Sequence, residues 1–143
     1  MYHRWAALAL VLALCAMPTK QAAGQQSTSQ SREHKQSGSL GQNYPNPFNP
    51  ETAIPFEITN CEGAVGQHTV SIKIFNVLAQ LVAVPILDGP GAPVSNLKLG
   101  CGQYTARWYG KVLNSGREAA SGVYVYELIV DGVPSAKKMF IAK

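Results

Sequence analysis

With 143 residues and a formal net charge of +4, the chain has room for one domain and little electrostatic bias. From Gly41 onward, eight basic residues face seven acidic ones, which excludes the basic footprint of a nucleic-acid or anionic-lipid binder. Three cysteines and three histidines, scattered rather than clustered, offer no metal set and no cofactor motif.

The N-terminus carries Arg4, then an unbroken apolar run from Trp5 to Met17, then Pro18 and the small residues Ala22-Ala23-Gly24. This is the layout of a secretory signal peptide over residues 1–24. Its apolar run is too short to span a bilayer of roughly 30 Å as a helix. Retention as an anchor is the alternative, and would be the chain's only expected membrane contact. Cys15 follows the bulky Leu14, unlike a lipobox cysteine. Cleavage after Gly24 removes Arg4 and Lys20, leaving ten basic and eight acidic residues. Residues 25–39, rich in Ser and Gln and with no aliphatic or aromatic side chain, read as a disordered tether. His34 is then a solvated linker histidine.

"NYPNPFNPET" at 43–52 precedes the first alternating run. Pro45, Pro47 and Pro50 predict a polyproline-like course, with Asn46 and Asn49 satisfying local backbone groups. Tyr44 and Phe48, four apart, are expected to cap one end of the core together. From residue 52 the period becomes two: Ile54, Phe56 and Ile58; Val70, Ile72 and Ile74; a run from Leu81 to Leu87 interrupted by Pro85; Tyr104, Ala106 and Trp108; Val123 to Val130; and Lys137 to Ala142. Asp131-Gly132 between the last two signals a hairpin. Short β-rich segments with Gly, Pro and Asn punctuation and no helical period predict an all-β fold over residues 40–143. The expected form is a small Ig-like or fibronectin-III-like antiparallel β-sandwich of about six to seven strands. Pro55 and Pro85 cannot donate to a ladder, so their strands are expected at sheet edges.

The segments "LGQNYPNPFNPETAIPFEI", "IKIFNVLAQLVAVPILDG", "GQYTARWYGK", "GREAASGVYVYELIVDG" and "KKMFIAK" resemble, in order and spacing, a known family. These are the type A C-terminal sorting domains of secreted bacterial proteins read by the type IX secretion system. They are also similar to the Ig-like region of the flagellar hook-capping protein. The resemblance covers about residues 40–143 and implies a β-sandwich without a catalytic centre, in the periplasm or on the surface of a Gram-negative-type bacterium. It also implies a sorting signal in the last strand, with Lys138, Met139 and Lys143 as what is read. Here Trp108 is followed by Tyr109-Gly110, and the loop Lys111 to Arg117 holds no carboxylate, so no calcium site is carried over.

Chemistry-bearing constellations are sparse. His68 is the one domain histidine, read as an exposed turn residue, and no nucleophile motif surrounds Ser71. Cys61 and Cys101 remain after signal removal. The strand course returns the loop before Cys101 toward Cys61, so a disulfide in an oxidising compartment is expected, with two unpaired buried thiols as the alternative.

The function expected is therefore non-enzymatic: an exported accessory or interaction subunit of a cell-envelope assembly. Its partner would be another envelope or membrane-complex protein, with no small-molecule substrate and no nucleic acid. The alternative is the sorting signal itself. Outward aromatics and cations supply the candidate interface: Arg107, Tyr109, Tyr126, Lys137 and Lys138. Trp108 is expected to be buried against Ile72, Ile74 and the strand of Tyr124.

Overall fold

The structure, a computed structural model, describes residues 36–63 and 66–143. The expected signal peptide, most of the expected tether and His34 lie outside the described residues. Nine strands and no helix appear among the described residues: β1 Gly38–Leu40, β2 Thr52–Ile58, β3 His68–Phe75, β4 Leu81–Ala83, β5 Ile86–Leu87, β6 Leu97–Leu99, β7 Gly102–Trp108, β8 Gly122–Val130 and β9 Val133–Ile141. They form two antiparallel sheets, ordered β1-β2-β7-β5 and β4-β3-β8-β9, with β6 also beside β3. This is the small β-sandwich that the alternating pattern predicts.

The strand count exceeds the expected six to seven because the additions are very short. β1 pairs Gly38 and Ser39, residues expected in the tether, with Ile58 and Glu57. The 81–87 run divides at the buried Pro85 into β4, at an edge of the second sheet, and β5, at an edge of the first. The edge expectation thus holds for Pro85. β8 and β9 pair over nine residues, and their turn uses Asp131 at φ 49° and Gly132 at φ 84°. Positive φ at both positions matches the twist of a two-residue hairpin.

One parity of each long strand fills the core: Ile54, Phe56 and Ile58; Val70, Ile72 and Ile74; Ala106 and Trp108; Tyr124, Tyr126, Leu128 and Val130; Met139 and Ile141. Trp108 meets Phe48 and Tyr124 edge-on, at centroid distances of 5.6 and 5.4 Å, and its indole N–H donates to the Lys111 carbonyl. The expected burial of Trp108 is what the structure has.

The proline-rich segment departs from expectation. It runs as successive bends between two isolated bridges, at Tyr44 and Phe48, and not as a polyproline-like course. Phe48 is 2% exposed, whereas Tyr44 is 78% exposed, so only Phe48 caps the core. The bends let one short segment pair with both sheets. Tyr44 exchanges two 2.8 Å hydrogen bonds with Ala53 of β2. Phe48 N–H donates to Phe140 O, Ala142 N–H donates to Phe48 O, and the Asn46 side chain accepts Phe140 N–H. An exposed strand edge is a template for unwanted pairing, and this segment covers the C-terminal half of the β9 edge.

Pro55 also departs from expectation, since β2 lies between β1 and β7. Gly41 N–H donates to Pro55 O at 2.8 Å, but proline has no N–H to return. The Tyr126 hydroxyl supplies the missing donor to Gly41 O at 2.8 Å, and it accepts Asn43 N–H at 2.9 Å. Asn43, also buried, donates to Pro45 O and Thr52 Oγ1. Burial pushes the Tyr126 phenol above its ordinary range, and the Asn43 N–H partly opposes that. Tyr126→Phe leaves a half-buried carbonyl and a buried N–H without their partner, so it is expected to cost about 1–3 kcal/mol. Denaturant unfolding measures this, with Tyr124→Phe, which loses one bond to Ala120 O, as the milder control. Equal midpoints for Tyr126→Phe and the parent would contradict the assignment.

Candidate interaction surface

The residues expected at an interface do not share one surface. Arg107 and Tyr109 lie outward on and just beyond β7, Lys138 lies on the outer face of the second sheet, and Lys137 lies at that sheet's β9 margin. Tyr126, expected outward, is fully buried. It shares parity with Tyr124 and Leu128, and its hydroxyl is held inside by Gly41 and Asn43. Of the residues implied for a sorting signal, Lys138 is exposed, Met139 is buried in the core, and Lys143 is paired with Glu118 at 2.9 Å.

His68 is likewise buried, against expectation, because it has the inward parity of Val70 and Ile72. Its Nδ1 lies 2.6 Å from Asp131 Oδ2, and its Nε2 faces Asn60 O at 3.3 Å. The His68 contact, with Thr69 N–H, holds the Asp131 carboxyl below its usual range. A His–Asp pair suggests a catalytic dyad, but the second ring nitrogen meets a backbone carbonyl where a nucleophile would sit, and the Ser71 hydroxyl bonds Asn96. The pair ties the hairpin turn to the chain beside Cys61. Cys61 and Cys101 form a disulfide with their Cα atoms 5.8 Å apart, as expected. Among the described residues no group of His, Cys, Asp and Glu is arranged to hold a metal.

The two outer faces of the sandwich differ in chemistry. Across the first sheet, outward residues run Ser39–Glu57–Gln103, then Pro55–Thr105, then Ala53–Arg107–Ile86. Arg107 is anchored there, its Nε on Asp88 at 2.8 Å and its Nη1 on Glu51 at 2.8 Å. Both contacts push the guanidinium further from deprotonation. An apolar groove of about 220 Å³ beside it is lined by Ile86, Tyr109, Val112 and Leu113, among others.

The outer face of the second sheet is apolar for most of its width. Leu81 sits beside Phe75, Phe75 beside Val125, and Val125 beside Lys138. The adjoining rows are Val123–Phe140, Lys73–Glu127–Ala136 and Ser71–Ile129–Pro134. A hollow of about 350 Å³ lined by Phe75, Asn76, Val77, Ala79, Val125 and Glu127 lies on it. At its rim the β3–β4 turn holds Val77 and Leu78 at 74% and 73% exposure. That turn is rigidly built: the Asn76 side chain accepts N–H bonds from Leu78 and Gln80 and donates to Gln80 Oε1.

Apolar side chains thus fill this face on both sides of a central Lys73–Glu127 row. Arg107, Lys111 and Lys143 are ion-paired. Among the described residues, by contrast, the side chains of Lys73, Glu127, Lys137 and Lys138 have no ion-pair or hydrogen-bond partner within the chain. The residues that sequence reading passed over are Phe75, Val123, Val125 and Phe140. A signal existed: Val123–Val130 is apolar at both parities except Glu127, and a strand in a two-layer sandwich has only one face in the core. Comparison of the chain with protein-family models, curated proteins and solved structures gives no match.

Proposed function

We propose that the chain is a non-enzymatic, exported Ig-like module that serves as an accessory or interaction subunit of a cell-envelope protein assembly and docks through the outer face of β3, β8 and β9. The observation that carries this reading is the contrast between the faces: mixed on the first sheet, with its central Arg107 ion-paired to Asp88 and Glu51, and largely apolar on the second, with Lys73, Glu127 and Lys138 unpaired. Phe75 and Phe140 are the aromatic type that anchors interfaces, and the Lys–Glu row among them is the kind of charge that selects a partner. The disulfide is compatible with an oxidising, exported setting.

The test places a photo-crosslinking side chain at Val125 or, as the comparison, at Gln103 on the opposite outer face, in the full chain expressed in its own cells. Covalent adducts to protein from Val125 and none from Gln103 are expected. No adduct from Val125, or the same adducts from both positions, overturns the assignment of this face.

A further inference from the structure

We infer that the apolar outer face of the second sheet closes on a second copy of the chain, across a two-fold axis that runs along the seam between β3 and β8. This rests on the reading of that face as a docking surface and names its occupant.

Lys73 and Glu127 are ladder partners in the middle of the face, bounded by Phe75 and Val125 on one side and by Ser71 and Ile129 on the other. Covering the face with an uncharged apolar surface would bury both charges without new partners, a costly arrangement. Two sheets that pack face to face lie about 10 Å apart with their strands roughly aligned. A two-fold axis parallel to the strands and between β3 and β8 sets each β3 residue opposite the β8 residue that is its own ladder partner, in the other copy. Lys73 then meets Glu127 of the second copy, and Glu127 meets Lys73 of the second copy. Phe75 meets Val125 of the second copy, and the Leu81 row meets the aliphatic stem of Lys138.

A two-fold axis laid across the strands at the same row does the opposite. It sets Lys73 against Lys73 and Glu127 against Glu127, and like charges across an interface are strongly disfavoured. An axis between rows leaves each charge opposite an uncharged residue, Phe75 and Val125 on one side or Ser71 and Ile129 on the other. Of these isologous arrangements, the seam axis alone pairs both charges and keeps the apolar side chains together.

The experiment is sedimentation equilibrium on the full chain, with Lys73→Glu, Glu127→Lys and an equimolar mixture of the two variants. Both side chains point away from the core, and circular dichroism checks that each variant is folded. The parent is expected to show a monomer–dimer equilibrium, and each variant alone is expected to dimerise roughly 100-fold more weakly. In the mixture every interchain pair is again Lys–Glu, so a one-to-one heterodimer is expected to form with near-parental affinity. A charge contact inside one chain cannot be rescued by adding a different chain, so the mixture isolates the contact between copies.

A parent that stays monomeric, an association that Lys73→Glu leaves unchanged, or a mixture no tighter than either variant alone each overturns the dimer. Crosslinks from Val125 to a different protein, with the chain itself monomeric, would overturn the dimer and leave the docking face standing. No crosslinks from Val125 would remove both.

Discussion

Trp108→Ala is expected to lower the unfolding free energy by about 3–5 kcal/mol. The ring is 3% exposed and wedged edge-on between Phe48 and Tyr124, and its N–H is spent on Lys111 O. Those neighbours come from three separate parts of the chain. Phe48 belongs to the proline-rich segment, Tyr124 to β8 and Lys111 to the loop after β7, so the cavity cannot be closed by shifting one element. A domain of this size has a total stability of roughly 5–15 kcal/mol, so the loss is a large share of it. Trp108→Phe keeps an aromatic body and should recover much of the difference. Denaturant unfolding decides the matter, and an alanine variant that melts with the parent would show that the wedge is not a packing element.

Opening the Cys61–Cys101 bond ranks second in size. The two cysteines are 40 residues apart. A cross-link over that length removes unfolded-state freedom worth about 2–4 kcal/mol. The bond lies just beyond the last ladder pair of β2 and β7, Ile58–Gly102. The folded strands therefore already hold the two ends together, and the double variant Cys61→Ala/Cys101→Ala should keep the parental fold while losing stability. The measurement is the unfolding midpoint of the parent with and without reductant, beside that of the double variant in both conditions. The reductant should lower the parent to the level of the double variant and leave the variant unmoved. A parent insensitive to reductant would mean that the bond does not contribute.

Much of the core was legible residue by residue. Alternation placed Ile54, Ile72, Ala106 and Trp108 on inward faces because a period of two admits only two registers, and one of them buries charge. The Asp131-Gly132 turn was legible for a local reason: two consecutive positive-φ positions favour those residue types. Tyr126 was misassigned because a tyrosine suits either face, and the partners that satisfy its hydroxyl inside, Gly41 O and Asn43 N–H, come from a segment more than 80 residues away. His68 was misassigned because its partners, Asp131 and Asn60, lie on other strands' turns. β6 was missed because three residues between Asn96 and Gly100 carry too little periodicity to register.

What the amino-acid sequence determined by itself is the set of properties with a short range. These are the period-two pattern that makes an all-β sandwich, the hairpin turn, the breaking of the 81–87 run at Pro85, and the parity that buries Trp108. What tertiary structure alone decided is how distant segments complete one another. The proline-rich segment became a seam between both sheets because the edge of β9 offered unpaired backbone groups to Phe48 and Asn46. The apolar residues of β3, β8 and β9 came to share one face, with Lys73 and Glu127 in its middle, because strand order laid them side by side. Alternation specifies which side of a strand is apolar. Only the order and register of the strands specify which side chains become neighbours, and a binding face is made of neighbours.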